Sequence, residues 1–285
     1  MKVFILGPTG EIGEAVTKEL VAAGHDLTGL CRSDASAARL ENWGGRPVRG
    51  DIREPEAWAS QTAENDAIIN LADTFDDDMP DLDARMIDAL EAAATQWPRF
   101  LYTGGCWLYG ATGDHVAVET DPMDGIPAYR WAAKQGKRLL ASDAFSSAII
   151  HPAMVYHEGG GVFGGFLNAA SRGVAPVVTG GPKVRWPLVH RDDLAVAYRL
   201  LLERPDLIGH FNVTAEEGVP VGEIAHHLTG RSPAVRTAKQ AMEELGGWAE
   251  GLALDQQISS EKLRSQTDWR PRFEDYRQIR FRTGS

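Results

Sequence analysis

An apolar run, Val3 to Leu6, leads directly into Gly7-Pro-Thr-Gly10-Glu-Ile-Gly13, and a helical pattern begins inside that glycine segment. A strand, a tight glycine turn and a helix in this order restrict the chain to few folds. Each glycine meets a separate demand: Gly7 lets the chain turn sharply, Gly10 lets the backbone approach a pyrophosphate, and Gly13 lets the helix pack closely on the strand. The helix start adds unpaired N–H groups and a positive dipole end, so the loop is read as an anion cradle, with Thr9, Glu11 and Ile12 in the same turn.

The pattern that follows is alternating. Ile12, Val16 and Leu20 recur at spacings of four, giving Glu11 to Ala23 one apolar helical face that stops at Gly24. Further strands are expected at Leu27 to Cys31, Pro47 to Gly50, Ala67 to Ala72, Phe100 to Thr103 and Ala148 to Ile150, and further helices at Leu82 to Ala94 and from near Pro127 through Leu140. Strands alternating with helices predict an α/β fold: a Rossmann-type doubly wound parallel sheet over residues 1–151 that binds a nicotinamide dinucleotide. Beyond His151 the runs Gly159 to Gly161, Gly164-Gly165 and Gly180-Gly181-Pro182 cut the chain into short, irregular pieces. Residues 152–285 are therefore expected to form a smaller mixed α/β, substrate-binding part, interleaved with the first domain and not joined to it by a linker.

Composition excludes several partners. Forty Asp and Glu against 29 Lys and Arg give a net charge of −11, and no dense basic block is present, so a nucleic acid partner is not expected. The first apolar run is too short for a signal peptide and no later one approaches bilayer length, which predicts a cytoplasmic protein with no membrane partner. Two cysteines, Cys31 and Cys106, are expected as free thiols, and no His/Cys cluster has metal-ligand spacing. The run Asp76-Asp77-Asp78 is read as a solvated loop. Of the 285 residues 43% are hydrophobic, enough for a sizeable core.

At the end of the second strand an NAD-preferring site carries an acidic residue that holds the ribose hydroxyls. Here the chain has Cys31-Arg32-Ser33. A carboxylate would repel a 2′-phosphate, whereas a guanidinium and a hydroxyl can hydrogen-bond to it, so Arg32 and Ser33 point to NADP(H) over NAD.

Over nearly its whole length the chain resembles the extended short-chain dehydrogenase/reductase superfamily of nucleotide-sugar epimerases, dehydratases and reductases. The matching pieces, in order, are Gly7 to Gly13, Asp51-Ile52, Ile68-Ile69-Asn70-Leu71-Ala72, Phe100 to Thr103 leading to Tyr109-Gly110, and His151-Pro-Ala-Met-Val-Tyr156. Val189-His-Arg-Asp-Asp-Leu-Ala195, Phe211-Asn-Val213 and Asp268-Trp-Arg-Pro271 follow. The resemblance implies that Asp51 and Ile52 meet the adenine, that Leu71, Ala72 and Asp73 lie beside the pyrophosphate and ribose, and that His151, Pro152 and Met154 are cofactor-binding.

The family's chemistry uses a tyrosine as general acid/base, a lysine four residues later and a serine or threonine that orients the substrate oxygen. Residues four apart on a helix are offset by only ~40°, so a nearby ammonium can favour the phenolate. This chain departs from the pattern. Lys134 matches the lysine, but Arg130 stands four before it, and Tyr129, five before it, would be offset by ~140° in a regular helix. Tyr129 can serve only if the helix opens with an irregular turn after Pro127. Gly105 occupies the usual serine position, leaving Thr103 as the substitute hydroxyl, and no Asn occurs between Thr74 and Trp97 for a proton relay.

Two functions remain open. The first is an NADP-dependent oxidoreductase or epimerase/dehydratase acting on a carbonyl or secondary alcohol of a small molecule, a nucleotide-sugar among the candidates, with Arg185, Trp107, His157 and Trp186 on the substrate side. The second is an NADP(H)-binding redox sensor or partner-binding protein without turnover, favoured by the missing Tyr-x-x-x-Lys. Proton transfer by His151, His157 or Cys106 is a further alternative. A homodimer through the helices at Leu82 to Ala94 and Pro127 to Leu140 is the expected assembly, although Arg130, Lys137 and Arg138 make that face more charged than an obligate interface prefers.

Overall fold

The computed structural model describes residues 1–74 and 76–282. Two compact units are present, each assembled from three stretches: residues 1–104, 134–150 and 194–210 form the first, and residues 105–133, 151–193 and 211–285 the second.

The parallel strands of the first unit are β1 (Lys2–Leu6), β2 (Asp26–Cys31), β3 (Arg46–Arg49), β4 (Ala67–Asn70) and β5 (Arg99–Thr103). With β6 (Ser146–Pro152) and β11 (Gly209–Val213) they make a seven-stranded sheet in the order β11-β6-β5-β4-β1-β2-β3. Its register pairs Val3 with both Leu27 and Ala67. Strand order reverses at β1, and the crevice outside the carboxyl ends of strands at such a reversal is where α/β folds bind ligands. Strands buried on both faces are apolar throughout, as in Val3 to Leu6 and Ala67 to Ile69. Helices α1 (Glu11–Ala22), α2 (Asp34–Asn42) and α3 (Met79–Ala93) connect them, and Phe4, Leu6, Trp58, Ile68, Met86, Ile87, Leu90 and Phe100 share one core.

One charge lies inside this unit. Arg99 is 2% exposed, and its guanidinium donates to the carbonyls of Leu201 (3.2 and 3.0 Å), Leu207 (2.7 Å) and Ser146 (3.3 Å). Burial pulls its pKa down to about 10, so it remains a cation tying three chain segments together.

The second unit is regular where the sequence suggested irregularity. Strands β7 (Met154–His157), β8 (Gly160–Gly161), β10 (Arg185–His190) and β12 (Glu216–Pro220) form a mixed sheet in the order β12-β10-β7-β8, and β9 (Val177–Thr179) pairs with β13 (Ala234–Arg236). The many glycines mark turns between short strands. Helix α4 (Arg130–Ala141) precedes β6, α5 (Gly164–Ser171) follows β8, and α6 (Arg191–Leu202) follows β10. Trp269 is fully buried and donates its indole N–H to the Asp193 carbonyl (2.9 Å), while the Asp193 carboxylate accepts from the N–H groups of Arg272 (2.8 Å) and Phe273 (2.9 Å). Those bonds anchor the Asp-Trp-Arg-Pro segment.

Helix α4 begins at Arg130 and not near Pro127. Residues 127–129 form a turn in which the Tyr129 N–H donates to the Ile126 carbonyl (2.9 Å), and the Arg130 N–H donates to the same oxygen (3.1 Å) as the helix begins. Helix α2 lay between two expected strands and shows a weak apolar stripe, with Leu40 its one buried side chain. Among the described residues no helix is long and apolar enough to cross a membrane, and no group of His, Cys, Asp and Glu could hold a metal.

Candidate functional site

The glycine segment divides into structural and ligand-facing positions. Gly7 has φ +75, and a Cβ there would lie 3.0 Å from the Leu71 carbonyl carbon and oxygen. At Gly13 a Cβ would fall 2.0 Å from the Gly7 carbonyl oxygen, so the helix packs on the loop's own backbone, more intimately than on the strand. Both glycines are therefore required by the fold. Gly10 is different. It caps α1 with an ordinary φ of −70, and a Cβ there would meet only the Gly7 carbonyl oxygen, at 3.5 Å. Nothing in the chain demands glycine there, but a ligand pressed against that backbone would. The residues therefore fit a pyrophosphate at the start of α1.

A cleft of about 530 Å³ opens from this turn in the first unit, lined by the glycine loop, Arg32, Ser33, Asp51, Ile52, Leu71, Ala72 and Asp73. Those positions, read separately from the sequence, come together here. Ser36, Arg53 and Thr74 also line it and were not singled out beforehand, and Asp76, read from the sequence as part of a solvated loop, lines it too. Arg53 pairs with Asp76 (2.8 Å) and Asp78, which occupies the first and last acids of the Asp76 to Asp78 run. Arg32 is exposed and, among the described residues, has no carboxylate within ion-pair distance. It therefore remains available to an anion. Ser33 caps α2: its hydroxyl accepts from the Ser36 N–H (3.1 Å) and donates to the Ser36 hydroxyl (3.2 Å). Its oxygen is a helix cap first.

Farther along the same unit, Thr103 donates to the Asn70 carbonyl (2.5 Å) and lies 2.7 Å from the Tyr198 hydroxyl. With the threonine proton already given to Asn70, Tyr198 must be the donor of that second bond. Burial pushes the Tyr198 phenol well up, so it keeps its proton. Lys134 sits exposed on α4.

In the second unit Tyr129 lies in the turn before α4, half-buried, edge-on to Trp107 (5.4 Å) and stacked on Trp131 (6.4 Å). Arg130, four residues before Lys134, is held by Asp124 (2.9 Å) and the Gly125 carbonyl (3.2 Å). At Gly105 the backbone is extended, and a Cβ would meet nothing within 4 Å. Its N–H donates to His151 Nδ1 (3.3 Å), and Pro152 ends β6 beside it in sequence. Met154 and Trp186 are buried in the apolar core, and His157 Nδ1 accepts from the Gly159 N–H (3.2 Å). Cys106 is buried, which pushes its thiol up to about 12 and makes it a poor proton carrier. Arg185 is fully engaged. Asp255 grips it through Nε (2.8 Å) and Nη2 (2.6 Å), Asp114 takes Nη1 (3.2 Å), and these carboxylates raise its pKa. An arginine neutralised in this way offers a substrate diphosphate little attraction.

Comparison with known proteins agrees with this architecture. Residues 3–214 match the NAD dependent epimerase/dehydratase family, and the chain belongs to that family. It is 30% identical to an uncharacterized protein of Saccharomyces cerevisiae, with 95% of each chain covered, and 24% identical to a 3-diazoavenalumate denitrifying reductase of Streptomyces, with 97% and 98% covered. Among solved structures it superposes on the human epimerase family protein SDR39U1, crystallised with NADPH, at a TM-score of 0.78 and 19% identity over 96% of each chain.

Proposed function

We propose that this chain binds NADP(H) along the cleft of its first unit and acts as an oxidoreductase or epimerase/dehydratase on a carbonyl or secondary alcohol of a small molecule. Gly10 carries the reading: it is a glycine that the chain's own conformation does not require, at the helix start where a pyrophosphate is held. Arg32, unpaired by carboxylates among the described residues, supports the 2′-phosphorylated dinucleotide. When bound, the nicotinamide supplies hydride transfer. The chain's own task is to bind, orient and manage one proton. Lys134 would hold the nicotinamide ribose, Tyr129 would exchange the proton, and Thr103, its own proton committed to Asn70, would offer only a lone pair. With Arg185 clasped by two aspartates, uncharged carbonyl compounds suit the chain better than nucleotide-sugars.

The Arg130–Asp124 pair and the bare Gly105 favour a second reading, an NADP(H)-binding sensor without turnover. Calorimetric titration with NADP+ and NAD+, followed by loss of reduced-nicotinamide absorbance with a panel of aldehydes, ketones and nucleotide-sugars, separates the two. Consumption abolished by Tyr129→Phe supports the enzyme, whereas tight binding with no consumption by any compound leaves the sensor. Arg32→Ala should cut the preference for NADP+ over NAD+ by roughly tenfold or more, the scale of one charge-assisted contact.

A further inference from the structure

Helix α3 buries Leu82, Met86, Ile87 and Leu90 on one face, and in the middle of that stripe stands an acid, Asp83, 1% exposed. Its carboxylate accepts from the Tyr102 hydroxyl (2.9 Å) and the Asn70 side-chain amide (3.4 Å). Asn70 reaches onward. Its side-chain oxygen accepts the Ala72 N–H (3.1 Å), and Leu71 and Ala72 are the residues against which Gly7 packs, 3.0 and 3.1 Å from where its Cβ would lie. The Asn70 carbonyl also receives the Thr103 hydroxyl. A single buried acid thus sits behind the wall of the dinucleotide cleft.

We infer that Asp83 is a positioning residue for the dinucleotide site, holding Asn70 so that the Leu71–Ala72 peptide keeps the phosphate loop in its binding geometry. The inference rests on the dinucleotide reading given above. Orientation follows from donor counting. Tyr102 and the Asn70 amide are both donors, and an ionised carboxylate, which only accepts, satisfies both at once. A protonated carboxyl, or an amide in its place, can still accept from Asn70, but as a neutral group it forms a weaker bond than the charge-assisted one, so its hold on Asn70 loosens.

Ionisation at this position is finely balanced. Burial pushes the Asp83 carboxyl up to about 7, with Asp73 adding to the rise, while the bonds from Tyr102 and Asn70 and the charge of Arg138 on α4 oppose it. Arg138 is shared with Asp88 (2.5 Å) and Glu91 (2.5 Å) of α3 itself, which limits its pull. Around neutrality the site therefore changes between a form that grips Asn70 tightly and one that holds it more loosely.

The test is calorimetric titration of the full chain with NADP+ from pH 6 to pH 9, for the wild type and Asp83→Asn. Wild-type affinity should rise through an inflection near pH 7. Asp83→Asn should bind about five- to tenfold more weakly at pH 8.5, the size of an ordinary coupling between linked groups, and should match the wild type at pH 6. Titration of the cofactor's 2′-phosphate is common to both proteins and cancels in the comparison. Tyr102→Phe keeps the carboxylate but removes a bond to its charged form, so its inflection should move to higher pH, and it serves if the asparagine variant does not fold. Parallel profiles for Asp83→Asn, or an unmoved inflection in Tyr102→Phe, overturn the role of Asp83 and leave the dinucleotide reading standing. A wild type that binds no NADP+ at any pH overturns both.

Discussion

Replacing Gly10 and Gly13 by alanine, one at a time, separates what the glycine loop does for the fold from what it does for a ligand. At Gly13 the new Cβ would sit 2.0 Å from the Gly7 carbonyl oxygen and 2.9 Å from the Pro8 carbonyl carbon, both backbone atoms. Relief requires α1 to move by about 1 Å relative to the loop that begins it. Overpacking of this kind costs typically 1–3 kcal/mol and occasionally more, and backbone obstruction places Gly13→Ala at about 3 kcal/mol, a fall of roughly 6–12 °C in Tm for a chain of this size. At Gly10 the nearest atom would be 3.5 Å away and φ is −70, both ordinary for alanine. Gly10→Ala should therefore raise stability by about 0.4–1 kcal/mol, through the stiffer unfolded chain. Its Cβ would nevertheless occupy the space of a pyrophosphate oxygen, and NADP+ affinity should fall roughly 100-fold, about 2.7 kcal/mol. Differential scanning calorimetry gives the first quantity and titration calorimetry the second. Wild-type affinity in Gly10→Ala would refute the assignment of that glycine to a ligand, and wild-type stability in Gly13→Ala would refute the close-packing argument.

Three further outcomes follow from the same geometry. Arg99→Met should cost about 3 kcal/mol or more in urea unfolding, because it removes the guanidinium donors from the buried Leu201, Leu207 and Ser146 carbonyls; a loss under 1 kcal/mol would show that water replaces it. Asp83 has a carboxyl raised by burial from 3.8 to about 7, so its contribution to stability is full below the unfolded value and lost as pH rises through 7. At 1.36 kcal/mol per pH unit over the two units from pH 5 to 7, Asp83 alone should make unfolding require about 2.7 kcal/mol more at pH 5 than at pH 8, and Glu216, also raised by burial to about 7, acts in the same direction. A flat or rising profile over that range would contradict the burial argument, and Asp83→Asn should reduce the slope by about half, leaving the Glu216 share. Gly105→Ser should leave Tm unchanged within about 2 °C, since the backbone is extended and the Cβ has open space. If turnover is limited by a missing hydroxyl, the same variant should increase carbonyl reduction; an inactive, normally folded Gly105→Ser would weaken the enzyme reading.

Much of the site was legible in the chain because its signals are local. The glycine turn, the strand before it and the apolar spacing after it all lie within about twenty residues, and the strand ends follow from alternation, while Asp51 and Leu71 were placed beside the cofactor by the family resemblance. The Arg53 contacts with Asp76 and Asp78 were hidden, since nothing in a run of three aspartates names its partner. Asp83 was hidden in a different way. An acid among Leu82, Met86, Ile87 and Leu90 interrupts an apolar stripe, and that interruption is the signal, but only packing reveals that Tyr102 and Asn70 meet it. Arg185 shows the opposite case: a free cation in the sequence is a spent one once Asp255 and Asp114 are folded against it.

The sequence by itself determined the βαβ start, the parallel sheet and the glycine turn from which the cleft opens, because hydrophobic period and glycine geometry act over short distances along the chain. Tertiary structure decided which groups remain available for chemistry. Thr103 is a free hydroxyl in one dimension and a committed one in three, Tyr129 sits in a turn where a helix was expected, and Gly10 is distinguished from Gly7 and Gly13 only by what its missing Cβ would touch. Availability depends on partners far apart in sequence, and no local pattern records them.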